Sequence, residues 1–60
     1  MEFYVIYDKF ENIVAYCDNI EELISYTGIR KNNLKSRLKT KDYYYYLTNG
    51  SYNLIYRFFA

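Results

Sequence analysis

Six cations fall within twelve residues: Arg30, Lys31, Lys35, Arg37, Lys39 and Lys41. No acid interrupts the stretch from Leu23 to Lys41. Residues 1–22 are the reverse, with Glu2, Asp8, Glu11, Asp18, Glu21 and Glu22 against the single Lys9. A formal net charge of +1 therefore conceals −5 over residues 1–22, +6 over residues 23–41 and zero over the rest. Clustered charge, not net charge, makes a footprint for an anionic partner. The chemistry on offer is phosphate neutralisation by Lys and Arg. Asn32 and Ser36, within the same run, add hydrogen bonding to base edges and phosphate oxygens. A solvated basic helix face without a ligand fits the same run, and both readings stand at this level.

The chain offers little else that reacts. It has no His, no carboxylate pair with a plausible partner, no phosphate-cradling glycine loop and no nucleophile elbow. This composition points away from an enzyme and implies no cofactor. Cys17 is the sole cysteine, which rules out an internal disulfide and a cysteine-based zinc site. Asp18 beside it disfavours a reactive thiolate. A lone cysteine of this kind fits a reducing cytosol. The start, Met-Glu-Phe-Tyr-Val-Ile-Tyr-Asp, has neither the basic residues nor the apolar run of a signal peptide. No segment approaches the ~20 apolar residues of a membrane span. The expected setting is cytoplasmic, with no membrane partner.

Sixty residues make one small domain, spanning 1–60, of marginal stability. Residues 3–7 and 13–17 are rich in β-branched and aromatic types and flank a polar turn at 8–12, which predicts a hairpin of open register. Asp18-Asn19-Ile20-Glu21-Glu22 reads as a helix start. Asp18 with Glu21, or Asn19 with Glu22, gives the capping-box spacing. Ile20, Leu23, Ile24 and Thr27 form its apolar stripe, and Gly28 is the left-handed stop. A second helix over about 31–40 turns Leu34 and Leu38 inward. Asn49-Gly50 predicts a tight hairpin turn. Pairing Thr48 with Ser51 then places Asp42 opposite Arg57, a favourable cross-strand pair. On this register Leu47, Tyr52, Tyr45, Leu54, Tyr43 and Tyr56 share the face expected to be core. The fold class is therefore α+β, in the order β-β-α-α-β-β. An antiparallel sheet, or two hairpins, packs against a helical hairpin.

Residues 20–39 resemble a helix-turn-helix, carried by Leu23, Gly28, Ile29, Leu34 and Leu38. The resemblance implies that the second helix is the recognition helix. Arg30, Lys31, Asn32, Lys35, Ser36 and Lys39 then stand at base- and phosphate-contacting positions. Arg37 and Lys41 extend that anion-binding set. The chain departs from the motif at Ile24, where a small residue is usual, at Thr27, where Leu is common, and at Arg30, where a Ser or Thr cap is common. The usual third helix is missing, so the hairpins must replace it, and the 42–59 hairpin is a candidate wing.

The ten tyrosines carry the remaining expectations. Tyr44 and Tyr46, beside the basic run, can stack on bases; packing in the core or a homodimer interface is the plainer use of each. Phe10 and Phe59 are expected to be exposed. The excess of Ile, Asn, Lys and Tyr over Pro, Gly and Ala is the signature of AT-rich codons, as in a low-GC bacterium or its phage. Three functional classes follow, the plainest being a structural module whose dimer interface uses the tyrosine hairpin, with Tyr43, Tyr45, Tyr52 and Tyr56 as core or dimer contacts. Of the other two, the first is a small phage or mobile-element regulator that binds nucleic acid, or another phosphate-bearing ligand, through the second helix. The second is a phage anti-defence protein that inhibits a host defence protein by direct binding or, as a homodimer, sequesters a nucleotide immune signal.

Overall fold

A computed structural model describes residues 1–48 and 50–60; Asn49, half of the expected Asn-Gly turn, lies outside the described residues. The elements run β1 (Glu2–Tyr7), β2 (Ile13–Cys17), α1 (Ile20–Thr27), α2 (Lys31–Thr40), β3 (Tyr43–Thr48) and β4 (Ser51–Phe59). The architecture is α+β, and the four strands form one antiparallel sheet in the order β2-β1-β4-β3. The two hairpins thus join through β1 and β4. Because β4 pairs with β1 from Glu2↔Phe59 to Tyr7↔Leu54, the 42–59 hairpin is no free-standing wing. Only β3 is an edge.

Each local prediction has a visible cause. The β1–β2 turn is held by Asp8, whose carboxylate accepts from the Phe10 and Asn12 amides at 2.8 and 2.9 Å. Those donors, the Asn12 amide foremost, hold its pKa below the usual range. Between the two possible caps, α1 uses Asn19, whose side-chain oxygen accepts from the Glu22 amide at 2.9 Å. Glu22 in return accepts from the Asp18 amide at 2.9 Å. Gly28 ends α1 at φ 73°, its amide bonded to the Ile24 carbonyl at 2.7 Å. A Cβ at Gly28 would meet nothing within 4 Å, so Gly28→Ala is penalised by backbone strain alone. We expect a loss of about 1–2 kcal/mol, read as a lower urea midpoint with an unchanged slope; a neutral result would show that the turn re-forms without a left-handed residue.

The β3–β4 register is as predicted, from Thr48↔Ser51 to Tyr43↔Tyr56. Arg57 donates to the Asp42 carboxylate at 3.0 Å. The buried face is the reverse of the prediction. Directly opposed residues share a face, and two rows cross the sheet under the helices: Cys17–Tyr4–Arg57 and Ala15–Ile6–Ile55–Tyr44. Tyr46 lies on the same side, opposite Asn53. The core is Tyr4, Ile6, Cys17, Tyr46 and Ile55 from the sheet, closed by Leu23, Leu34 and Leu38 from the helices. Tyr43, Tyr45, Leu47, Tyr52 and Tyr56 stay exposed on the other face. The reason is the width of the cover. The helices supply a narrow apolar stripe, which matches a narrow apolar centre rimmed by Arg57, Asp42 and Asn53. It does not match a face that is aromatic from edge to edge.

Candidate functional site

α2 (KNNLKSRLKT) contains no acid, and only Leu34 and Leu38 are buried. Its other eight side chains are exposed. At helical spacing they sort into three stripes. Lys31, Lys35 and Lys39 lie along one flank, Asn32, Ser36 and Thr40 along the crest, and Asn33, Arg37 and then Lys41 along the other flank. The helix follows α1 after three residues, Gly28, Ile29 and Arg30. Thr27 braces that turn. Its hydroxyl donates to the Leu23 carbonyl at 2.8 Å and accepts from the Ile29 amide at 3.2 Å. A hydroxyl thus does useful work at a position where the motif commonly has Leu. Ile24, in the place of a small residue, and Ile29 pack half-buried against the core. Arg30 is the N-cap of α2 and makes no side-chain cap hydrogen bond.

The two flanks differ in their electrostatics. Lys31 sits 3.5 Å from Glu21. Both groups are well exposed, so the pair contributes little stability, yet it offsets the Lys31 charge locally. Lys35 and Lys39 line a cleft whose other walls include Glu2, Asp18 and Glu21. In the same cleft the Tyr4 hydroxyl donates to Glu2 at 2.8 Å. Burial, and then that bond, push its pKa up to about 12. The opposite flank faces an open groove of about 610 Å³ lined by Asn33, Ser36, Arg37, Thr40, Lys41 and Tyr43 to Tyr45. No carboxylate lines this groove. Arg37 stands over the Tyr44 ring and Lys41 over the Tyr43 ring, each 5.5 Å from the ring centroid.

The structure thus brings Arg37, Lys41 and Tyr44 together in one groove and sets Lys31, Lys35 and Lys39 on a second surface that they share with acids. Asn32 and Ser36 stand on the crest between them. Tyr46 is misplaced by the sequence reading. It is 8% exposed, held under the helices opposite Asn53, and is not accessible for base stacking. Tyr43 and Tyr45, assigned to the core, instead help to line the groove from the free edge of β3. Their signal in the sequence was the alternation of the Tyr43–Tyr46 run, which must place two rings on each side of the sheet. Cys17 is buried, and burial first, then Glu22 and Asp18, push its thiol pKa up, as expected of an unreactive thiol. Among the described residues no group of three or more His, Cys, Asp or Glu side chains is placed to hold a metal ion. No helix is long and apolar enough to cross a membrane. Comparison with known protein families, with characterised proteins and with solved structures gives no match.

Proposed function

We propose that the chain is a non-enzymatic nucleic-acid-binding regulator that engages its target through α2. One observation carries this reading: α2 buries Leu34 and Leu38 alone and presents eight side chains without an acid among them. A ten-residue helix is about 15 Å long, and the major groove of B-DNA is about 12 Å wide. Asn32 and Ser36 on the crest then meet base edges. The cations on either flank reach the two bordering phosphate backbones. The three-residue turn after α1 and the left-handed Gly28 support a recognition-helix role for α2, in keeping with the helix-turn-helix resemblance. The AT-rich bias suits a phage or mobile element acting in a bacterial cytoplasm.

Fluorescence anisotropy with a labelled duplex, titrated across salt, tests the reading. About four to six phosphate contacts predict that log K falls against log salt with a slope of about −4 to −5. Absence of binding at low salt, or a flat salt dependence, would overturn it.

The acid-free groove favours a second reading. A cation beside a tyrosine ring, with hydroxyls and an amide around them, suits the phosphate and the base of a nucleotide. On this reading the chain is an anti-defence protein that sequesters a nucleotide immune signal. Calorimetry against a panel of nucleotide second messengers separates the two: heat from a nucleotide with none from duplex DNA selects sequestration, and flat traces across the panel eliminate it.

A further inference from the structure

The sheet face turned away from the helices carries an aromatic layer of which the α2 groove touches only Tyr43 and Tyr45, at the β3 edge. Ring contacts cross all four strands. Phe3 lies 5.4 Å from Tyr16 and 5.3 Å from Phe58. Tyr56 lies 5.8 Å from both Phe58 and Tyr43, and Tyr43 lies 6.0 Å from Tyr45. These rings support one another before any partner arrives, so little side-chain freedom remains to be lost on docking. No Asp, Glu, Lys or Arg of the described strand residues points to this side, because Glu2 and Arg57 both sit on the helix-covered face. Charge returns only at the margins: Lys41 stands 5.5 Å from the Tyr43 ring centroid at the β3 edge, and Asp8, Lys9 and Glu11 of the β1–β2 turn border a depression of about 650 Å³ lined by Tyr7, Tyr52 and Leu54.

We infer that this face is covered by the same face of a second copy, giving a sheet-on-sheet homodimer with α2 outermost on each side. Area is the first argument. Tyr16, Tyr45 and Tyr52 are 57, 57 and 61% exposed, and Tyr43, Tyr56 and Phe58 are each 36% exposed. At about 200 Å² per aromatic side chain, these six leave roughly 550 Å² uncovered. Leu47 and Ile13, at 61 and 68%, carry the face toward the ~800 Å² per partner of a standard interface. A single apolar patch of that size is beyond what a monomer ordinarily exposes. Charge is the second argument. A phosphate-bearing ligand finds no cation across the centre of this face, only Lys41 and Lys9 at its margins, whereas an identical neutral face matches it in polarity. Two sheets of the same twist also pack face to face at about 10 Å with side chains interleaved. The third argument is self-complementarity: the rim carries both signs, as a two-fold interface requires of a patch that must meet itself.

Sedimentation equilibrium tests the inference. The chain is expected at twice its 7.4 kDa mass, and its Tm should rise with protein concentration, as for any folded dimer. Tyr45→Glu with Tyr52→Glu should give a monomer, while Tyr26→Glu, on the exposed surface of α1, should leave the dimer intact. Should the double variant fail to fold, isotope-filtered NOEs in a half-labelled wild-type sample locate the contact instead. They are expected between copies at Tyr45, Leu47 and Tyr52. A wild-type monomer with a concentration-independent Tm overturns the inference. So do cross-copy NOEs confined to α2 or to the outer edges of β2 and β3, and so does a monomer whose tyrosine fluorescence is quenched by a single-stranded oligonucleotide bound at Tyr52. Duplex binding by α2 is read separately and stands or falls without regard to the dimer.

Discussion

Ile6→Ala is expected to remove most of the stability of this domain and to leave the chain largely unfolded well below the wild-type midpoint in urea. Ile6 is fully buried, as is Ile55 opposite it. The two occupy the inner strands of the sheet directly beneath the helices. Truncating a buried Ile to Ala costs about 2–5 kcal/mol, the removed methyl groups and the residual cavity together. A domain of sixty residues has a total of roughly 3–9 kcal/mol to lose. Ile6→Val removes one methylene and should cost about 0.5–1.5 kcal/mol, a modest fall in midpoint at an unchanged slope. Equal effects of the two substitutions, or a small effect of both at a fixed protein concentration, would mean that this row is not the centre of the core.

The fragility follows from how few side chains close that core. Leu23, Leu34 and Leu38 are the fully buried helix residues. All three were legible from helical spacing, because each helix has a single apolar stripe and one stripe has one way to face. The Gly28 stop and the place of the α1 start were legible because caps act on their own neighbours, although spacing left Asp18 with Glu21 and Asn19 with Glu22 as equal choices. The β3–β4 register was legible because turn chemistry and the Asp42–Arg57 pair agree on it.

The orientation of the sheet was not legible, and the cause is particular. Both faces of the 42–59 hairpin carry tyrosines, so alternation fixes which residues travel together but not which set is buried. Counting apolar side chains favoured the Tyr45, Tyr52 and Tyr56 set. The decision lies in a long-range fact: β1 joins β4 with Ile6 against Ile55, and the helices are wide enough for only the smaller of the two apolar faces. The misplacement of Tyr46 follows directly, since it belongs to the set that the helices cover. The exposure of the basic residues was legible because α2 has no second face to bury. What the spacing left out is that the helix borders acids on one side only, which depends on where Glu2, Asp18 and Glu21 fall in space.

That asymmetry sets the second large effect. Arg37→Glu with Lys41→Glu is expected to abolish duplex binding at moderate salt. Counterion release makes each phosphate contact worth about tenfold in affinity near 0.1 M salt, and each contributes about 0.9 to the salt slope. Neutralising the pair as Arg37→Gln with Lys41→Gln should therefore weaken binding about a hundredfold and flatten the slope by about 1.8. Reversal to Glu adds repulsion and takes the loss further. Lys31→Gln should do much less, because Glu21 at 3.5 Å already offsets that charge. Both groove cations are exposed, so far-UV circular dichroism should hardly change. The structural loss is limited to the Arg37–Tyr44 and Lys41–Tyr43 contacts, each about 0.5–1 kcal/mol at an exposed site. A larger loss from Lys31, Lys35 and Lys39 than from Arg37 and Lys41 would place the phosphate track on the acid-bordered flank. Equal slopes for all variants would remove α2 from the interface, since a helix that touches phosphate cannot lose two charges and release the same number of counterions.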